Sequence, residues 1–176
     1  MLADSALEAA STHLDAAENL DVLDDASAAY LTFDLDGQTF AVAVQCVREI
    51  LDPQPVTRLP NSSHDLLGVI DVRGISVPIV DLTAHLGIGV SEQGPDTRVI
   101  VFELERSDGE SRPLGILAER VRDVSRLTAG DIEKAPEVSD GGVGNDVIIG
   151  LCRRDGSLIV VIDLARVFAD QPLPGF

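Results

Sequence analysis

The run Leu66-Leu67-Gly68-Val69-Ile70-Asp71-Val72-Arg73-Gly74-Ile75-Ser76-Val77-Pro78-Ile79-Val80-Asp81-Leu82 decides how this chain folds. It is two short apolar runs, rich in β-branched residues, that meet at Arg73-Gly74. Such runs, bounded by glycine, read as paired strands rather than as helix. Gly74 supplies the permissive backbone of a tight turn, and Gly68 marks a bulge or a close backbone approach. Pro78 has no amide to donate, so the expectation places it at an edge or an irregular point of the ladder.

The same pattern occurs again. Gly68, Gly74, Asp81 and Leu82 map onto Gly150, Gly156, Asp163 and Leu164, each 82 residues on. Val47-Arg48-Glu49-Ile50 maps onto Val121-Arg122-Asp123-Val124, and Phe40 and Val42 onto Leu114 and Ile116, at an offset of 74. Phe33 and Leu35 map onto Phe102 and Leu104 at an offset of 69. The order is kept while the offsets grow, as insertions in surface loops would make them. The chain therefore reads as two copies of one β module. The alternative is that short aliphatic strands merely resemble one another.

Working outward, Tyr30–Leu35 alternates as a strand, Asp36-Gly37 turns it, and Gln38–Val42 returns. A tight turn leads into a strand near Val47–Leu51. Pro53, Pro55 and Pro60 mark a constrained connection, and a short helix is expected near Leu82–Leu86. Gly87–Pro95 is the natural joint between the copies. The second copy repeats the scheme in Thr97–Leu104, Arg112–Ala118, Arg120–Leu127, Val147–Arg153 and Leu158–Ile162. A terminal helix over Asp163–Phe168 follows, with Asp163 as its N-cap. Ala129–Asp146 reads as a long loop. Many short strands with frequent turns indicate an all-β barrel or sandwich. Residues 1–28 stand apart, with seven acids and no Lys or Arg. Ser5-Ala6-Leu7-Glu8 has the form of a capping box, and Leu7, Ala10, Leu14 and Ala17 recur at helical spacing. A helix over about 6–20 would be marginal in isolation, so a weakly helical, mobile tail is expected.

Composition narrows the function. Of the 176 residues 45% are hydrophobic, but only 3% are aromatic, so the core is built from Val, Ile, Leu and Ala. The formal net charge is −17, and residues 29–176 alone hold 23 acids against 13 bases. That balance argues against a nucleic-acid-binding small barrel and against an anionic membrane surface, both of which call for clustered Lys and Arg. No run approaches the ~18 apolar residues of a spanning helix, and no export signal is visible, so a cytosolic protein without membrane insertion is expected.

Catalytic signals are weak. His13, His64 and His85 lack partners at metal-ligand spacing. Cys46 and Cys152 have no C-x-x-C spacing, and Cys46, the one conceivable nucleophile (with His64), lies in an apolar run that suits an inert thiol. Asp34-Leu35-Asp36-Gly37 lacks the closing ligands of a calcium loop. Asp140-Gly141-Gly142-Val143-Gly144 lacks the Lys-Ser/Thr of a phosphate loop. Asp81 and Asp163 hold equivalent places in the copies, which suits structural caps. No catalytic residue, cofactor or metal site is assigned. Surface recognition remains: Glu49 stands between Val47 and Ile50, Arg73 sits at the hairpin turn, and these opposite charges can pair across the first module. An ordinary surface ion pair is the competing reading.

Phe40-Ala41-Val42, Val47-Arg48-Glu49-Ile50, Val56-Thr57-Arg58-Leu59-Pro60, Leu67–Gly74 and Val77–Leu82 together resemble the CheW family of chemotaxis coupling proteins. Gly115-Ile116-Leu117, Val121–Val124, Ile149-Gly150 and Leu158–Leu164 extend the likeness over about residues 29–168. The resemblance implies an all-β fold of two tandem, five-stranded SH3-like barrels with short helices. The domain would span 29–170, with subdomains at about 29–87 and 97–168, between an acidic tail at 1–28 and a C-terminal tail at 171–176. It implies a non-enzymatic adaptor linking the cytoplasmic tips of chemoreceptors to the regulatory domain of the histidine kinase CheA. Such an adaptor works in the cytoplasm, recruited to membrane-associated arrays. Carried over by motif, Val47, Glu49, Ile50, Gly68 and Arg73 are the implied contact residues. Within the family, a chemosensory pathway with an output other than swimming is the rival. The usual Asn-Leu-Arg-Gly is here Asp71-Val72-Arg73-Gly74, which sets an acid beside Arg73.

Overall fold

The computed structural model describes residues 27–136 and 146–169. The expected helix over about 6–20, the run Asp140–Gly144 and the C-terminal tail lie outside the described residues. Among the described residues eleven strands form: β1 (Ala28–Leu35), β2 (Gln38–Ala43), β3 (Val47–Leu51), β4 (Leu66–Val72), β5 (Ile75–Val80), β6 (Arg98–Glu105), β7 (Ser111–Ala118), β8 (Arg120–Leu127), β9 (Ile132–Glu133), β10 (Ile148–Arg154) and β11 (Ser157–Ile162). Two four-residue helices, α1 (Leu82–His85) and α2 (Leu164–Val167), follow the two late hairpins.

The strands form one sheet of order β8-β1-β2-β11-β10-β9 and a second of order β3-β6-β7-β5-β4. Replacing each strand of the second by its equivalent 69 to 82 residues away reproduces β8-β1-β2-β11-β10. The duplication is therefore present in the fold itself. Even the parallel pairings match, since Ile79 faces Gly115 in one sheet and Val161 faces Ala41 in the other. The expected division at about 87–97 separates the two sequence copies but not the two sheets. The first hairpin of each copy crosses over: β1-β2 joins β8, β10 and β11, while β6-β7 joins β3, β4 and β5. Antiparallel neighbours in sequence announce themselves through turns. The parallel contacts that close each unit have no such local signal.

This crossing explains the core. One cluster is shared by both sheets and runs from Phe33 and Phe40 through Ile100, Phe102 and Leu114 to Ile162 and Phe168. A smaller cluster lies inside each unit, around Ile70, Ile79, Val99 and Val101 in one and around Cys152, Ile159 and Val161 in the other. Val99 and Val101 of β6 point to the inner cluster while Ile100, Phe102 and Leu104 point to the shared one. A strand buried on both faces needs a continuous apolar run, and β5, β6 and β11 each have one.

The turns are those expected. Asp36-Gly37, Arg73-Gly74 and Asp155-Gly156 all have positive φ at both central positions, from 49° to 82°, the backbone of type I′ hairpins. Asp81 and Asp163 cap α1 and α2, each carboxylate accepting from two helix amides at 3.0–3.3 Å. Pro78 lies within β5, inside the sheet rather than on its edge. Its partner Val69 turns its own N–H and C=O away, to Thr57. The nitrogen of Pro78 thus faces β7, and pairing with β7 begins only at Ile79. No ladder bond is lost.

Candidate protein-interaction surface

β3 enters its sheet through a bulge. Val47 faces Phe102 and Glu49 faces Val101, so Arg48 is the extra residue. β8 has the matching irregularity between Val121 and Val124, with Arg122 in the equivalent place. The bulge arginines keep the same kind of partner in the two copies. Arg48 Nη1 lies 3.6 Å from Glu103, and Arg122 Nε donates to Asp34 at 2.7 Å. The four residues are equivalent pairwise, so these ion pairs belong to the duplicated scaffold.

The next residue is where the copies part. Asp123 accepts a short hydrogen bond of 2.5 Å from the hydroxyl of Thr32, and Ser125 Oγ donates to its other oxygen at 3.3 Å. In the first copy the position of Thr32 is taken by Val101 and that of Asp123 by Glu49. Oε2 of Glu49 accepts from Arg73 Nη2 at 2.7 Å. Oε1 is buried and finds no hydrogen-bond partner among the described residues. The Glu49 side chain is 15% exposed and that of Arg73 75% exposed. A carboxylate is held mostly out of water while its counter-ion stands in it.

Arg73 occupies that place at some cost. Its φ of 54° is left-handed, a region Asn and Asp tolerate and most other side chains resist by about 1 kcal/mol or more. The second copy has Asp155 there. The turn is braced by Asp71, whose Oδ1 accepts the Gly74 amide at 2.7 Å. The acid beside Arg73 thus serves the turn. Around the pair lie Arg48, Val72, Ile75, Val77 and Val101, enclosing a cavity of ≈ 20 Å³, room for about one water-sized group. Ile50 and Ile75 are 42% and 45% exposed nearby in sequence and sheet.

Of the five residues expected at a contact surface, the fold brings Glu49 and Arg73 into contact and leaves Ile50 outward. Val47 instead packs against the shared core. Gly68, at φ 142°, lies under the Val56-Thr57 segment, where an added Cβ would run into the Thr57 carbonyl oxygen. Cys46 also packs on the shared core; burial and then the nearby Asp163 carboxylate push its thiol up, away from the reactive thiolate. Sequence reading missed the unpaired Oε1, although the exchange of Thr32 for Val101 at an offset of 69 carried the signal. It also missed the contacts of His85.

The orphaned oxygen leads to a testable outcome. Replacing Glu49 with Met removes a desolvated acceptor and leaves behind an arginine already in water. Stability should rise by about 1 kcal/mol, since an unsatisfied buried polar group costs ~1–3 kcal/mol. Urea unfolding of the two proteins measures it. A fall in midpoint would mean that the Arg73 contact outweighs the desolvation of Glu49.

The first copy thus sets exposed aliphatic side chains beside an arginine at positive φ and an acid with one unsatisfied oxygen. Residues 29–171 match the family described as CheW-like domain, and the chain belongs to that family. It is 31% identical over 140 residues to the probable chemotaxis protein CheW of Rhizobium etli, covering 80% of this chain and 86% of that protein. It is 29% identical to the chemotaxis protein CheW of Thermotoga maritima, over 80% of this chain and 87% of that one. Among solved structures, the scaffolding protein TtCheW of Thermoanaerobacter tengcongensis superposes with a TM-score of 0.69 at 23% identity, covering 81% of this chain and 88% of that chain. That likeness shows the fold.

Proposed function

We propose that this protein is a non-enzymatic adaptor of a chemosensory array, joining the cytoplasmic tips of chemoreceptors to the regulatory domain of the histidine kinase CheA. Membership of the CheW-like family supports the reading, as do the chemotaxis proteins to which the chain is similar. The observation that carries it is the Glu49–Arg73 pair with its unpaired oxygen. The other copy, built on the same backbone plan, satisfies its acid internally and has Asp155 in the place of Arg73. The first copy departs from that plan where departure costs stability, as recognition sites do. Ile50 and Ile75 supply apolar contact, and the charged pair fixes register. Among the described residues no helix is long and apolar enough to cross a membrane. The proposed place, which follows from the adaptor reading, is the cytoplasm, with recruitment to the membrane through receptors.

The test is co-sedimentation. Receptor-bearing membranes, purified kinase and this protein are mixed and spun. Kinase should pellet only when both the receptor and this protein are present. Kinase recovery independent of this protein defeats the reading.

A further inference from the structure

His85 ends α1. Its Nδ1 lies 2.6 Å from Oδ2 of Asp65, and its Nε2 lies 3.2 Å from the carbonyl oxygen of Val167, at the end of α2. Its ring centroid lies 4.9 Å from that of Phe168. The Asp65 and His85 side chains are each only 8% exposed. Asp65 leads into β4, and its own carbonyl accepts the Asp81 amide at 2.7 Å. One ring therefore ties the start of β4 in the first copy to the last turn of α2 in the second.

The duplication shows that this arrangement is optional. Asp65 and His85 correspond, 82 residues on, to Val147 and Val167. The Val147 carbonyl accepts the Asp163 amide at 2.9 Å, the counterpart of the Asp65–Asp81 bond. There the two valines simply pack on the shared core. An apolar solution for this place thus exists within the same chain and is used in only one copy. Buried ion pairs are often no more stabilising than packed apolar residues, and can be worse by ~1–4 kcal/mol. Stability alone does not account for Asp65 and His85.

The two ring nitrogens face oxygens that accept. The Val167 carbonyl has no proton to give. Burial pushes the Asp65 carboxyl up, but hydrogen bonds from Ser63 and His85 outweigh it and hold the group below its ordinary 3.8, so it is a carboxylate at neutral pH. A neutral imidazole donates from one nitrogen, whereas an imidazolium donates from both. We propose that His85 is a proton-operated pin between the two sheet units: protonated, it holds β4 and α2 together, and on losing a proton to solvent it keeps one partner and releases the other.

The remaining charged groups at this joint are otherwise engaged. Asp81 accepts from its helix amides and from Ser91 Oγ at 2.7 Å. Asp163 accepts from its own helix amides and lies 3.4 Å from Arg166. Cys46 stays a neutral thiol, as described. The signs follow from linkage. The Asp65 contribution is present above its ordinary 3.8 and is lost as pH falls through its lowered value. A ring protonated on both nitrogens donates to Asp65 and to Val167 at once, and with one proton fewer it donates to only one of them. The joint is tightest with Asp65 ionised and both ring nitrogens protonated, and it loosens when the ring gives up a proton.

Two measurements on the full chain decide this. Nitrogen-15 NMR of the ring should show both nitrogens protonated at about pH 6, with the loss of one proton as pH is raised. Hydrogen exchange at the Asp81 and Asp163 amides, corrected for intrinsic rates, should then lose about tenfold in protection between about pH 6 and pH 8.5. The variant Asp65→Val/His85→Val, which copies the other module, should keep its protection constant over that range. A neutral His85 ring at about pH 6 overturns the proposal. So does a double variant with an unchanged pH profile. The ring measurement needs no variant, and neither depends on whether receptor or kinase is bound.

Discussion

Arg73→Glu is expected to abolish receptor-dependent control of the kinase while leaving the protein folded. The Arg73 side chain is 75% exposed and Glu49 is its ion-pair partner, so little packing is lost with it. Two carboxylates then face each other across a distance that was 2.7 Å in the native pair. The introduced carboxylate swings into water, and the cost to stability should be about 1 kcal/mol. A partner shaped for an acid and a guanidinium meets two acids instead. Loss of one member of a desolvated charge pair at an interface costs ~2–5 kcal/mol, so affinity should fall by tenfold or more. Arg73→Lys keeps the charge but not the planar fork and should be intermediate. Asp155→Asn, at the equivalent turn of the other copy, should leave control untouched. The readout is kinase autophosphorylation in reconstituted receptor membranes, with circular dichroism to show that the fold is kept. Full control by the Arg73→Glu protein would remove this pair from the interface.

The contrast between turns also shows what was legible beforehand. The strands, the Arg73-Gly74 and Asp36-Gly37 turns and the Asp163 cap could be read because each is encoded within a few residues. Period-2 alternation, glycine at positive φ and a carboxylate two and three residues before its amides are local facts. The pairing of Glu49 with Arg73 was legible only because both flank one module. The exchange of hairpins between copies was not legible. β2 beside β11 and β7 beside β5 are parallel contacts, and a parallel contact leaves no turn in the sequence. Nor were the partners of His85 legible, since the sequence offers it only a loop or short-helix position with no second histidine at ligand spacing. Asp65 is 20 residues away and Val167 is 82, and only the folded joint sets them around the ring. Internal comparison would have helped: a buried acid and histidine aligned with two valines flags a polar intrusion into a core position.

Gly68→Ala is expected to be the most destabilising single-methyl change in this chain, and its loss of binding should track its loss of fold. The glycine has φ of 142°, and an added Cβ would run into the Thr57 oxygen and lie 2.8 Å from both the Thr57 carbonyl carbon and Val56 Cγ1. Backbone cannot yield as a flexible side-chain tip can. The segment above must lift, breaking the reciprocal bonds of 2.8 and 2.9 Å between Thr57 and Val69. Left-handed strain of ~1–3 kcal/mol and overpacking of ~1–3 kcal/mol together suggest a loss of about 3 kcal/mol. For a chain of this size that is roughly 10 °C in Tm. Gly74→Ala has φ of 82° but no atom within 4 Å of the new methyl, so it should cost only about 1 kcal/mol. Gly150→Ala meets the Glu133 oxygen at 2.5 Å without a positive φ and should fall between them. Guanidinium unfolding of the three variants gives the order. If Gly68→Ala unfolds like the wild type yet fails to bind, Gly68 is itself a contact. If binding returns at temperatures where the variant is fully folded, Gly68 acts through the strand it lets Thr57 cover, and the recognition surface is carried by the side chains of Glu49, Ile50 and Arg73.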